Sequence, residues 1–177
     1  MNRRIALAAL ALVILTGGIT AQPNELQRGF SSLELGMDID TVKTLLRDDA
    51  QFAYRGDPDV TFLPSTQLPI IETAGVAFID RAILQFRDER LFVISLLLNR
   101  RRLDHYSVYT ALVARYGEPV ELDPSAAVWD DGQTRVSLER PLTVKYIDRV
   151  ALDAMIDAGR AAEALDALTR ELFLDGL

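Results

Sequence analysis

The side chains able to do chemistry are few and scattered. His105 is the only histidine in the 177 residues, and imidazole is the one group that titrates unaided near neutral pH, so a general acid or base would start there. It has no second histidine for an HExxH zinc site, and no G-x-S-x-G elbow supplies a serine nucleophile. The chain has no cysteine, which removes thiolate nucleophiles, thiolate metal sites and disulfides together. Carboxylates recur in pairs at Asp38/Asp40, Asp48/Asp49, Asp57/Asp59 and Asp130/Asp131, a donor type that suits a hard cation. None has the D-x-[DN]-x-[DN]-G spacing of a calcium loop, and each stands where aspartate caps a helix or makes a turn. They are read as caps and turns whose loss is tolerated. His105, beside Asp104 in the first turn of a helix, is read as a surface or capping-region residue. No cofactor, no metal and no enzymatic activity are expected, and a hydrolase using Asp57, Asp59 and His105 ranks behind two non-catalytic readings.

Two other short motifs have plain explanations. Arg55-Gly56-Asp57 spells an adhesion tripeptide, but Pro58 follows and restricts Asp57 to extended geometry, so a Gly-Asp-Pro turn is expected. Arg100-Arg101-Arg102 is a basic patch in an acidic chain, expected to meet neighbouring carboxylates, including Asp104, rather than phosphates.

Residues 1–21 read as a signal peptide. Arg3 and Arg4 form a basic n-region, Ile5 to Leu15 an apolar run too short to span a bilayer comfortably, and Ile19-Thr20-Ala21 a small-residue cleavage site, so the mature chain is expected to begin at Gln22. An uncleaved anchor is the alternative. Gly18 stands where a lipidated cysteine would follow Leu15-Thr16-Gly17, so no lipid anchor and no stable membrane insertion after cleavage are expected, and the location is periplasmic or secreted. The chain's 19 basic and 26 acidic side chains give −7, and removing Arg3 and Arg4 makes it −9. Such a field opposes nucleic acid and anionic membrane surfaces. Residues 22–177 have the size of one domain with its own core.

The element that organises the rest is a hairpin at Ala82 to Asn99. Ala82, Leu84 and Phe86 alternate with polar neighbours, the chain turns near Asp88-Glu89, and Leu91 to Leu98 is apolar at nearly every position. Before it, Phe30 to Leu35 reads as extended. Asp38 caps a helix through about Arg47, with Val42, Leu45 and Leu46 on one stripe. Asp48 to Leu68 is a long loop with a short edge strand at Val60 to Leu63. After the hairpin, Asp104 caps a helix Tyr106 to Tyr116, which buries Tyr109, Leu112, Val113 and Tyr116 and ends at Gly117 and Pro119. Ala126 to Asp130 and Gln133 to Glu139 flank Asp131-Gly132, the dipeptide of a type I′ turn, with Trp129 in the core. Val144 to Ile147 is a further strand. Asp148 caps a C-terminal helical region expected to break at Gly159 and resume through Leu165, Leu168 and Leu172. The fold is therefore α+β: an antiparallel sheet of about five to seven strands with helices mainly on one face. Met37 to Leu98 and Asp104 to Asp148 have the same order of helix, loop and strands, which allows two degenerate repeats.

Leu35-Gly36-Met37-Asp38 before one helix, Tyr116-Gly117-Glu118-Pro119 after the other, and the aromatic strand Val128-Trp129 resemble the small envelope-assembly lipoprotein family (SmpA/OmlA). Tandem helix-plus-strand units look like the fold of the β-lactamase inhibitory proteins, and the whole chain is similar to uncharacterised exported proteins of spirochaetes. These resemblances imply a periplasmic home without an activity. The reading taken is a non-catalytic soluble periplasmic module that binds an envelope protein and supports assembly or maintenance of the envelope. Tyr54, Arg55, Asp57 and Phe62 in the long loop are its candidate contacts. The alternative is a small-molecule or lipid carrier with a pocket between helices and sheet.

Overall fold

The computed structural model describes residues 25–62 and 68–175; the expected leader lies outside them. At the centre are β5 (Ile79–Arg87) and β6 (Arg90–Leu98), joined through Asp88 and Glu89, whose φ angles are both positive at 48° and 61°. Two successive left-handed residues give the type I′ turn that matches strand twist. The Asp131-Gly132 turn, expected to be of that type, differs. There only Gly132 has positive φ, 85°, and the Asp131 N–H donates to the Thr134 carbonyl at 3.2 Å, which puts Gly132 and Gln133 at the centre in the type II′ pattern.

Every residue from Leu91 to Leu96 is buried, and a bulge explains why the run does not alternate. Phe86 pairs with Leu91 but Gln85 pairs with Val93, so Phe92 is an extra residue and the facing shifts by one. Leu91, Ile94 and Leu96 thereby join Ala82, Leu84 and Phe86 on one face, while Val93, Ser95 and Leu97 take the other.

The remaining elements arrange themselves about this pair. A small hairpin, β1 (Gly29–Phe30) and β2 (Leu33–Glu34), replaces the single extended run expected at Phe30 to Leu35, because Ser31 turns the chain at φ 54°. Then come α1 (Ile39–Asp48), β3 (Val60–Phe62) and β4 (Pro69–Ala74) ahead of β5 and β6. The second half has α2 (His105–Tyr116), β7 (Glu121–Leu122), β8 (Ala126–Asp130), β9 (Thr134–Glu139) and β10 (Thr143–Asp148), and α3 (Arg149–Asp175) follows. The sheet has eight antiparallel strands in the order β3-β4-β5-β6-β10-β9-β8-β7. Each half is thus a helix followed by a four-stranded meander, and the meanders meet through their last strands, β6 and β10. Eight strands exceed the expected range because β4 and β7 were not visible. Pro69 is the first residue of β4, a position where its missing N–H costs no ladder bond.

Asp38 and Asp104 cap their helices as expected, accepting from the backbone N–H of Thr41 and Ser107 at 2.9 Å each. Val42 and Leu46 of α1 and Leu112 and Tyr116 of α2 join Ile71, Leu84, Ile94, Trp129, Val136 and Val144 in one core on one face of the sheet. The helical region at the C terminus differs from expectation: α3 runs unbroken through Gly159. A lone glycine costs a helix only about 1 kcal/mol relative to alanine, and Ala158, Ala161 and Ala162 surround it. Every described side chain of α3 from Asp157 to Arg170 is exposed, so only its first two turns belong to the packed body.

Candidate functional site

The sequence-derived contacts lie between α1 and β3, and the structure ties them together by an acid that sequence reasoning undervalued. Asp59 is buried, and its carboxylate accepts from the Arg55 backbone N–H at 3.1 Å, from Nε at 2.9 Å and from Nη2 at 2.7 Å. Arg55 itself is 73 % exposed. The tripeptide is therefore no freely presented acid–base pair: Gly56, at φ 88°, turns the chain back so that Arg55 closes on Asp59 across a 3₁₀ turn at Asp57–Asp59. Asp57 is exposed at that turn. Tyr54 is half-buried against the core, and its hydroxyl is shut from solvent with no hydrogen-bond partner. Burial, with the charges of Asp57 and Asp59 beyond it, raises the phenol's pKa against the opposing effect of Arg47. Phe62 ends β3; its side chain, and the loop residues 63–67, lie outside the described part.

Two of the carboxylate pairs make bonds beyond their own turns. Asp59 holds a loop, and Asp130 and Asp131 hold the base of α3 and the segment at Leu26. Asp130 accepts from Arg149 at 2.8 Å, and Asp131 accepts the N–H groups of Leu26, Gln133 and Thr134 at 2.9, 2.9 and 2.7 Å. Arg28 extends the network to Asp148 at 2.7 Å. Asp130 and Asp148 are paired with arginines and Asp131 is bonded to three backbone N–H groups, so the cluster reads as a clamp. Among the described residues no group of three or more His, Asp or Glu is arranged to hold a metal ion.

The arginine patch is also corrected. Arg100, Arg101 and Arg102 make no ion pair among the described residues, and Asp104 gives its two oxygens to the N–H and hydroxyl of Ser107, at 2.9 and 2.6 Å. A cap must point its carboxylate at the helix start, which turns it from the preceding arginines. His105 and the Asp57/Asp59 pair do not meet. His105 borders β7 and β8, whereas Asp57–Asp59 lead directly into β3, and these strands are opposite edges of the sheet. Seven inter-strand steps separate them, roughly 34 Å.

Two surfaces remain. The first is the sheet face opposite the core. Strand pairing sets Glu72, Ile83, Ser95, Lys145, Ser137, Val128 and Glu121 in one row directly across all the strands from β4 to β7. On either side run Gln85, Val93, Ile147 and Arg135, and Arg81, Leu97, Thr143 and Glu139. The long members are half-buried to exposed and roof over Ser95 and Ser137, and the charges pair within the face, Lys145 with Glu139 at 2.5 Å and Arg81 with Glu72 at 2.9 Å. Among the described residues only the start of α3 covers it, at one end, where Arg87 donates to the Ala151 carbonyl at 3.2 Å.

The second surface is a cleft of about 410 Å³ between α2 and the β7–β8 connection, lined by His105, Tyr106, Tyr109, Leu122, Asp123 and Arg140 among others. Behind the lining residue Tyr109, Trp129 donates from Nε1 to the Gly117 carbonyl at 2.8 Å and packs on Tyr109 and Tyr116 with ring centroids 6.3 and 6.4 Å away. Sequence reasoning missed Tyr106, Leu122 and Arg140, since nothing local says that a helix start, a two-residue strand and a residue 35 positions beyond His105 share one cleft.

These observations define an α+β protein of two helix-plus-meander halves with one sheet face left open. Its chain belongs to the TP0088 domain family, whose model matches residues 28–158 and which is named for a Treponema protein. The matched stretch runs from Arg28, in the clamp, to the point where α3 leaves the body. Searches of the curated proteins and of the solved structures find no match. No helix among the described residues is long and apolar enough to cross a membrane.

Proposed function

We propose that the protein is a non-catalytic periplasmic module that binds another envelope protein through the open sheet face and supports assembly or maintenance of the envelope. The observation that carries this reading is the face itself, a surface crossing both halves on which apolar Ile83, Leu97 and Ile147 mix with Gln85, Thr143 and a paired Lys145 and Glu139. A mixed surface of that breadth matches the composition of non-obligate protein interfaces. The leader pattern of residues 1–21 supplies the location, and the resemblance to exported spirochaete proteins and to assembly lipoproteins supplies the setting. Arg55 and Asp57 stand in the turn that leads into β3, at one edge of the sheet, and Thr61, paired with Ile70, carries the row of Gln85 onto β3. Among the described residues the sheet's outer strands have three and two residues, which favours binding by side chains across the face over addition of a partner strand.

The test is photo-crosslinking in intact cells. A crosslinking residue at Ile83 or Leu97 is expected to give one discrete adduct with an envelope protein, and the same residue at Thr44 on α1 none. Equal labelling from Thr44, or none from the face, would reject the reading.

A further inference from the structure

We propose that the cleft between α2 and the β7–β8 connection is a binding site for a small organic anion with an aromatic body, held by Arg140 and His105 at its charged end and by Tyr106, Tyr109 and Leu122 along its length. This is independent of the sheet-face interface, since the cleft lies beside α2, on the helix-bearing side. Its volume of about 410 Å³ falls within the range of small-molecule sites, which are mostly apolar with a few placed polar groups.

Four features argue for an occupant. Tyr106 and Leu122 are 75 % and 66 % exposed although both border the cleft, so a guest would take their apolar surface out of water. His105 borders the cleft and its buried Nε2 has no partner in the protein, so turning the ring toward a ligand's polar atom breaks no Nε2 hydrogen bond and satisfies that nitrogen. Arg140 is held by one edge, with Nε donating to the Pro124 carbonyl at 2.6 Å and its backbone N–H to the Ser125 carbonyl at 2.9 Å. No carboxylate among the described residues pairs with it, so its terminal N–H groups present a pre-set fork of the kind that suits a carboxylate, sulfonate or phosphate. Of the neighbouring acids, Asp104 gives both oxygens to Ser107, and Asp123 takes the N–H and hydroxyl of Ser125 and the N–H of Ala126 on Oδ1, at 2.6, 2.5 and 2.9 Å, so neither is bonded to Arg140. The tyrosine rings favour an aromatic over an alkyl body because they can stack or meet it edge-on.

The test uses two dyes that share a ring system. The purified full chain is titrated with 8-anilino-1-naphthalenesulfonate and separately with N-phenyl-1-naphthylamine, which lacks the sulfonate, following fluorescence. The expected result is saturable one-to-one binding of the sulfonate. Arg140→Gln should weaken it about tenfold or more, the scale of a lost charged hydrogen bond, and leave the uncharged amine as it was. Tyr106→Ala, at an exposed position that folding does not need, should weaken both dyes. Arg102→Gln, a change of the same charge outside the cleft, should alter neither. Non-saturable binding, an unchanged Tyr106→Ala titration, or equal losses in Arg140→Gln and Arg102→Gln would overturn the proposal. Should Arg140→Gln fail to fold, Tyr106→Ala and the preference for sulfonate over amine decide it.

Discussion

The two halves solve the same connection differently. Between α1 and β3 the chain is drawn onto the body: Phe52 is buried, Tyr54 and Val60 pack on the core, Ala53 donates to Ala74 at 2.8 Å, and Asp59 is sunk beneath Arg55. Between α2 and β7 the chain stays outside. Val120 and Leu122 are 63 % and 66 % exposed, and a cleft opens where the first half is filled. The helices, caps and meanders are alike, so the difference resides in a few connecting residues. A repeated architecture can hold one copy rigid and leave the other free to present surface, a division consistent with binding residues sitting on connections over a fixed scaffold.

The largest effect should come from the seam that both halves share. Leu96→Asp puts a carboxylate where Leu96 is 1 % exposed and paired between Ala82 and Val144. The expected cost is about 4 kcal/mol or more, enough to abolish a cooperative thermal melt; an unchanged melt would remove this strand from the centre. Next is the link holding the second connection. Trp129→Ala should lose about 3–5 kcal/mol through the cavity and the missing bond to Gly117. Asp59→Ala, the matching lesion in the first half, should lose about 1–3 kcal/mol through its backbone bond, because exposed Arg55 is left to water. A reversed order in urea titrations would mean that the ion pair, not the aromatic cluster, is the stronger anchor.

What was legible in the sequence was whatever is local. The caps at Asp38 and Asp104 each need only a carboxylate three residues before a helical N–H, and the β5–β6 hairpin needs only alternation and a polar turn. The bulge at Phe92 was hidden because an apolar run carries no mark of which residue is the extra one. β4 was hidden by Pro69, whose effect depends on whether it begins a strand or interrupts one. The burial of Asp59 was invisible because a carboxylate in a polar loop looks solvated until the loop folds back on it. The cleft drew on three separated stretches, His105–Tyr109, Leu122–Ala127 and Arg140: the register of β8 with β9 brings the last two together, and the packing of α2 on Trp129 adds the first.

Acid should expose how alike the frames are. The carboxyls of Asp38 and Asp104 are held below their ordinary pKa, Asp38 by the Thr41 backbone and hydroxyl bonds, Asp104 by the Ser107 hydroxyl and backbone bonds. Asp123 is lowered by Ser125 and Ala126. At Asp131 burial pushes upward, but the N–H groups of Thr134, Leu26 and Gln133 outweigh it. Each folded-state pKa is depressed, so the stabilisation is complete above the unfolded carboxylate value, about 3.9, and is lost as pH falls through the folded one. The melting temperature should be flat from neutrality to about pH 5 and fall below about pH 4. Asp131→Asn should shrink that fall; an acid limb of undiminished size would place the linkage elsewhere.

The smallest effect is the sharpest test of the comparison. Val60 and Leu122 each belong to the first strand of a half, and each can be changed to serine with little backbone consequence. Val60 is packed on the core, so Val60→Ser removes buried apolar surface and should cost about 1–2 kcal/mol. Leu122 stands mostly in water, so Leu122→Ser should fall within about 0.5 kcal/mol of the parent in a urea titration. The pair is informative because chain composition treats the two residues alike and only the filling of the connection separates them. Equal losses would mean that the second connection closes in solution as the first does, with its cleft occupied by the protein's own side chains; a loss confined to Val60→Ser leaves the cleft open.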